Sequence, residues 1–214
     1  MSGKGFASPD TLRQVTHVRP AGHSDVGAIA ALLSRAFFDD PVAAYLFPDH
    51  SFRVRVMPRF FRLQLRHNYL PRGRVLTTDT LEGAALVMPP EPRPPRLVDR
   101  AAHFSFLPLM RGRITATRIL TEALESHRPK DPHWYLGTIG TEPVRQHHGV
   151  GSALVHSLTQ RCDEDGVPLY LECSRSETIA FYTRFGFEVV EVLEAPVTGL
   201  LGPRLFLMWR KPVR

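Results

Sequence analysis

After Pro132 the chain reads strand, helix, strand with almost no residues to spare, and this stretch limits the fold more than any other. Residues 134–140 alternate as a strand. Residues 150–163 place Val150, Ala153, Leu154 and Leu158 at helical spacing, and 168–173 are strand-like again. Two strands joined through one helix by so short a path lie parallel, with a right-handed crossover. A helix at 177–185 and strands at 187–193 and 204–210 follow, and the last two can return antiparallel.

The first half supplies the rest of the sheet and most of the helices. A short strand is expected at 15–19. Ser24 then caps a helix whose apolar positions are Val26, Ile29, Ala30, Leu33 and Phe37. Asp39-Asp40-Pro41 interrupts it, a helical turn fits 42–47, and a longer helical stretch runs from Ser51 to Tyr69. Strands at 74–78 and 83–88 form a hairpin. Prolines at five of the seven positions 89–95 make a stiff spacer leading to helices at about 97–107 and 114–127. The fold class is therefore α/β (α+β): a mixed central sheet of six to seven strands flanked by helices.

At 214 residues with 43% hydrophobic and 22% charged positions, the chain has the composition of one globular domain. Residues 1–14 lack periodicity and read as a flexible tail, leaving 15–214 as the domain. The net charge of +6 favours an anionic partner without choosing between nucleic acid, membrane and a phosphorylated small molecule. Arg53, Arg55, Arg59, Arg62 and Arg66 could face RNA, but no aromatic residue interleaves with them, so a solvated basic face is the better reading. The amino terminus has no apolar leader core and the longest apolar helical run, 28–33, is far too short for a bilayer. Cys162 and Cys173 suggest neither a disulfide framework nor a zinc site, and a cytoplasmic location is expected.

Between the strand and the helix lies Gln146-His147-His148-Gly149-Val150-Gly151. A phosphate reaches the amides at a helix N-terminus only where no Cβ blocks it, and the helix dipole then favours the anion. Gly149 and Gly151 are the positions of closest approach. The pattern matches neither the dinucleotide fingerprint nor the phosphate loop ending in Gly-Lys-Ser/Thr. Further on, Ser174-Arg175-Ser176-Glu177 reads as a capping box opening a helix that holds Tyr182 and ends at Gly186 in a left-handed cap. His147-His148 is no metal site, because adjacent side chains diverge and no third ligand joins them. Cys173 reads as a buried strand cysteine.

The turn at Gln146–Gly151 and the segment Phe181-Tyr182-Thr183-Arg184-Phe185-Gly186-Phe187 together resemble the GNAT superfamily of acetyl-CoA-dependent N-acetyltransferases. From His127 to Lys211, beginning with His127-Arg128-Pro129-Lys130-Asp131-Pro132-His133-Trp134-Tyr135-Leu136, the chain is most similar to puromycin N-acetyltransferase-like members. In the first half only the segment Ala36-Phe37-Phe38-Asp39-Asp40-Pro41 carries the likeness. The resemblance implies the GNAT fold, with the fourth and fifth strands splayed to admit pantetheine. It makes 15–132 the acceptor side, with a helical insertion at about 97–127, and 133–214 the acetyl-CoA-binding half. Backbone groups of Ile139, Gly140 and Thr141 would bind the pantetheine amides. Gln146, His147, His148, Gly149, Val150, Gly151 and Ser152 would hold the pyrophosphate, with charge added by Arg145 or His147. Relatives carry Asn four residues before the tyrosine; Thr178 stands there and would offer the cofactor one hydroxyl.

The implied chemistry is direct attack of an amine on the thioester, with acetyl-CoA as co-substrate and no metal. Tyr182 suits the acid that protonates the leaving thiolate, and Glu172, on the fifth strand at the cleft end, is the leading base. Glu172 could instead serve as a structural partner of Arg175 or of backbone N–H groups, and Glu142 and His133 are weaker candidates for the base. The acceptor expected is a primary amine on a small molecule, an aminonucleoside such as puromycin being one fit. Alternatives are acetylation of protein N-termini or lysines, and a non-catalytic acyl-CoA-binding regulator. Neither a membrane nor nucleic acid is expected as a partner, while a homodimer is compatible with this reading. The acceptor pocket is expected from Phe37, Phe38, Tyr45, Phe47 and the helices between 97 and 127.

Overall fold

The computed structural model describes residues 16–91, 103–110, 112–194 and 202–213. The proposed tail at 1–14, the start of the first strand at Val15, most of the proline-rich spacer and residues 97–102 of the helix expected at about 97–107 lie outside these residues, and the described end of that helix is a 3-10 turn, His103–Phe106, leading into Leu107–Met110. Seven strands form one sheet: β1 (Val18–Pro20), β2 (Arg74–Thr78), β3 (Gly83–Met88), β4 (Trp134–Thr141), β5 (Leu169–Cys173), β6 (Glu188–Glu194) and β7 (Arg204–Arg210). Their order is β1-β2-β3-β4-β5-β7-β6. Each neighbouring pair is antiparallel except β4 with β5, the parallel pair required by the crossover.

β3 shows why the sheet is covered on both sides. Its sequence GAALVM does not alternate in polarity, as befits a central strand with two buried faces. Ala84 and Leu86 pack under α1 (Val26–Ala36) and α3 (His50–Leu63), whereas Ala85 and Val87 pack under α6 (Val150–Asp165). On the first face, α5 (Ile114–His127) continues the cover over β5, β7 and β6, with Leu120 and Ala123 against Tyr170, Leu193, Leu205 and Leu207. On the second face α6 is followed by α7 (Ile179–Thr183), whose neighbourhood adds Phe181, Phe185 and Phe187. α2 (Pro41–Leu46), α4 (Leu107–Met110) and a single α-helical turn at Leu70–Arg72 are the other α-helical segments among the described residues.

Two expected helix starts take another form. Ser24 does not cap α1; a 3-10 turn, His23–Asp25, precedes it, and the Asp25 carboxylate accepts the Gly22 amide at 2.9 Å. Asp25 also receives both Arg19 guanidinium nitrogens at 2.8 and 3.1 Å, a charge-assisted fork that a serine hydroxyl cannot match. The stretch from Ser51 is not one α-helix to Tyr69, because α3 widens into a π-helical turn, Gln64–Tyr69. Its basic face is also not uniform. Arg55, Arg59, Arg62 and Arg66 are exposed, but Arg53 is buried, 5.0 Å over the Phe38 ring and bonded to the Phe47 carbonyl.

The two ends of the second layer are tied by one ion pair. Arg210 of β7 forks onto Asp163 of α6 at 2.7 and 2.8 Å and gives its third donor to the Phe185 carbonyl at 2.7 Å. Only 7% of the Arg210 side chain is exposed, so removing its carboxylate strands a charge in low dielectric. Asp163→Ala should therefore lower stability by about 3 kcal/mol, read as an earlier urea midpoint with unchanged slope. An unshifted midpoint would show that the pair contributes nothing.

Candidate active site

The parallel ladder between β4 and β5 is short: Trp134, Tyr135 and Leu136 face Leu169, Tyr170 and Leu171, and there it stops. Beyond it β4 continues against β3 as far as Thr141, and β5 continues against β7 as far as Cys173. The strands thus part like a fork. An extra residue causes the divergence. Leu86 pairs with Thr138 and Val87 with Leu136, leaving Gly137 as a bulge that bends β4. Gly137 must be bare, because a Cβ there would collide with the Tyr69 hydroxyl arriving from the π-helical turn. Ile139, Gly140 and Thr141 lie past the fork, paired on one edge with Ala85, Ala84 and Gly83. Their other edge points into the gap, a geometry suited to an extended chain with amides.

The mouth of the gap is the turn before α6. Gly149 takes φ 88°, the left-handed region, and a Cβ built there would meet nothing within 4 Å, so the space beside it is open. Gly151 differs: a Cβ would sit 3.5 Å from Thr141 Oγ1 and 3.6 Å from the Phe181 ring, ordinary contacts that alanine could make. Gln146, His147, His148 and Gly149 are exposed. The turn is braced by His148 Nδ1 at 2.7 Å from the Gln146 carbonyl and by Gln146 Nε2 at 3.5 Å from the Thr141 carbonyl. The amides of Val150, Gly151 and Ser152 open the 16-residue helix and have no carbonyl one turn earlier within it. Together with the helix dipole they make the turn an anion seat. Of the flanking charges, Arg145 lies 2.8 Å from Glu82. Glu142 is held by both ends of the Arg35 guanidinium at 2.8 and 2.6 Å, so it is engaged away from base chemistry.

Tyr182 sits in α7, edge-on to Phe181 and Phe187 and half-buried. Burial pushes its phenol upward, reinforced by the nearby Cys173 and Asp40, so the group keeps its proton at neutral pH. The capping box expected at Ser174 is not formed. The Ser174 hydroxyl instead donates to the carboxylate of Asp40, a buried N-cap residue that also accepts the Val42 and Ala43 amides. A charged acceptor outcompetes a backbone bond here. Arg175 likewise reaches the Asp39 carbonyl at 2.7 Å, closing the α1–α2 link onto the end of β5. Thr178 is turned inward: its hydroxyl donates to the Arg175 carbonyl at 2.9 Å and lies 2.8 Å from Cys173 Sγ. Burial raises the Cys173 thiol, as for a structural cysteine.

Strand alternation sends Tyr170 and Glu172 to the opposite face from Cys173, toward α5. Glu172 has 7% of its side chain exposed and lies 3.5 Å from Arg128, not beside Arg175. Burial pushes its carboxyl above the usual range, opposed by Tyr135 and Arg128. His133 lies on the same face, edge-on to Tyr170 and Trp209, and burial lowers its imidazole. Phe37 and Phe38 are half-buried and Phe47 is buried in the core under α3, while Tyr45 lies beneath Arg113. Among the described residues no cluster of three His, Cys, Asp or Glu side chains could hold a metal, and no helix is long and apolar enough to cross a membrane. Tyr69, Arg128 and Asp40 enter the site without having been singled out as functional. Only Asp40, ahead of Pro41, carried a local signal, that of an N-cap.

Comparison with known proteins agrees with this geometry. Residues 87–187 match the family model described as acetyltransferase (GNAT) family. An uncharacterized N-acetyltransferase of Schizosaccharomyces pombe is 30% identical over 185 residues, covering 76% of this chain and 70% of the yeast protein. N-alpha-acetyltransferase 50 of Danio rerio is 28% identical over 69 residues, 30% of this chain and 41% of that protein. Among solved structures, a Corynebacterium glutamicum protein described as histone acetyltransferase HPA2 and related acetyltransferase shares the fold with a TM-score of 0.69. It is 24% identical, with 94% of this chain and 98% of that one covered. Arylalkylamine N-acetyltransferase 2 of Aedes aegypti superposes with a TM-score of 0.59 at 8% identity, over 91% and 98% of the two chains. A forked parallel pair, a bare helix N-terminus beside it, the family-model match and a relative 30% identical across 70% of its length thus lead to one conclusion: the chain belongs to the GNAT family of acetyltransferases.

Proposed function

We propose that the protein transfers acetyl from acetyl-CoA to a primary amine of a small molecule by direct attack, without a covalent enzyme intermediate. The observation that carries this reading is the fork between β4 and β5 opening onto the bare turn at Gly149. In it Ile139, Gly140 and Thr141 hold the pantetheine amides along the free edge of β4. The amides from Gln146 to Ser152 seat the pyrophosphate, His147 adds charge, and Thr178 steadies the wall rather than gripping the ligand. The amine nitrogen forms the new bond to the thioester carbonyl carbon as the carbon–sulfur bond breaks. Tyr182 gives its proton to the departing thiolate, and Glu172 takes the proton the amine loses, directly or through water. Both cysteines are free, in keeping with a reducing, cytoplasmic setting.

The likeness of residues 127–211 to puromycin N-acetyltransferase-like proteins supports an aminonucleoside acceptor. The match to N-alpha-acetyltransferase 50 supports a second reading, acetylation of protein N-termini. Thiol release measured with puromycin, simple primary amines and short peptides separates these two, and silence across the panel with intact acetyl-CoA binding would identify a regulator.

Three outcomes are expected. Gly149→Glu should abolish acetyl-CoA binding in isothermal titration, since a side chain strains the left-handed backbone and places a carboxylate at the anion seat, whereas Gly151→Ala should bind normally. Equal binding by wild type and Gly149→Glu would end the proposal. Tyr182→Phe should lower kcat by about tenfold or more while leaving acetyl-CoA affinity nearly unchanged. For Glu172 the sign follows from its raised pKa. Its contribution to stability is present below the ordinary glutamate value of about 4.3 and is lost as pH rises through the raised value. The urea midpoint of Glu172→Gln should therefore gain on wild type from about pH 4 upward. A difference that stays constant would contradict the raised pKa.

A further inference from the structure

On the acceptor face of the fork, several polar groups are buried together that the transfer reaction as described leaves without a task. Arg128 follows α5 directly and is its C-cap residue. Its guanidinium carbon stands 4.3 Å over the Tyr135 ring, and Nη2 lies 3.5 Å from Glu172 Oε1, close enough for strong attraction yet beyond a good hydrogen bond. Oε1 of Glu172 and the Tyr170 hydroxyl are buried and make no hydrogen bond of good geometry, although Tyr135, Tyr170 and Arg128 all stand close enough to Glu172 to favour its charged form. Buried polar atoms in that state are rare and require an explanation. An acceptor amine that reached the carboxylate would supply one, donating N–H to Oε1.

We propose that Arg128 is a positioning residue for acyl transfer: stacked on Tyr135, it holds the Glu172 carboxylate beside the fork with Oε1 uncommitted to a full hydrogen bond and so able to take one from the acceptor nitrogen. This rests on the reading of Glu172 as the base. The planar guanidinium can lie flat on a ring and still direct an edge at a carboxylate, which an ammonium does less well. No other cation is recorded so near to Glu172 among the described residues. Tyr135 comes from β4, Tyr170 from β5 and Tyr69 from the π-helical turn, with Arg72 beyond Tyr69. His133 precedes β4 and touches Tyr170. Glu191 of β6 acts on Tyr170 from further off and is itself paired with His127 at 3.5 Å. β7 presents Leu207 opposite Glu172 in the ladder and adds no charge there.

The test uses the full chain labelled with carboxyl carbon-13 glutamate, the Glu172 signal being assigned by its loss in Glu172→Gln. In Arg128→Met the Glu172 titration midpoint should rise by about one pH unit or more, and in Arg128→Lys by less. Thiol release with the most active amine of the panel should show the acidic limb of kcat/KM moving the same way, and Arg128→Met should have no further effect in the Glu172→Gln background. Arg128→Lys keeps the charge and covers the case in which Arg128→Met does not fold. An unmoved midpoint and limb in the Arg128 variants, with the limb lost in Glu172→Gln, overturns the role of Arg128 and leaves the base reading standing. Full activity and an intact limb in Glu172→Gln overturns both.

Discussion

The site depends on one packing constraint, the meeting of the Tyr69 hydroxyl with the bare backbone of Gly137. A parallel pair as well buried as β4 and β5 would otherwise continue its ladder, since every further pair satisfies backbone groups with no water near. The bulge at Gly137 stops that continuation by changing the direction of β4, and Tyr69 fills the space the bend creates. From that one local irregularity follow the gap between the strands, the free edge at Ile139 to Thr141 and the exposure of the α6 N-terminus to whatever lies in the gap.

The two faces of the sheet then divide the work. On one, α6 and α7 bring the anion seat and the phenol of Tyr182. On the other, α5 packs on Tyr135 and Tyr170, with the Glu172 carboxylate held beside Arg128. Alternation along β5 makes the division sharp, because Cys173 and Glu172 are neighbours in sequence and point to opposite layers. Asp40 joins the layers: it caps α2, receives Ser174 from the end of β5 and influences Tyr182.

Much of this could be read before any coordinates. The hairpin 74–78 with 83–88, the last strand 204–210 and the start of α5 at Ile114 fall where their periodicity puts them, because each is a local pattern bounded by turn residues. The left-handed cap at Gly186 was legible for the same reason. The caps at Ser24 and Ser174 were misread where a nearby carboxylate, Asp25 or Asp40, offered a stronger bond than the local rule assumes. The cluster around Glu172 was invisible except for Glu172 itself and His133. Tyr69 and Arg128 reach it from segments 103 and 44 residues earlier in the chain, and no periodicity reports such a meeting. The π-helical turn that delivers Tyr69 has no sequence signature of its own.

His147 also lies in the left-handed region, at φ 64°, two residues before Gly149. A residue with a Cβ held there stores about 1 kcal/mol or more of backbone strain, sustained by the rest of the fold. On the proposed reading, a diphosphate would meet a backbone already bent at His147 and Gly149 and would immobilise little loop, so that more of its attraction would be expressed as affinity.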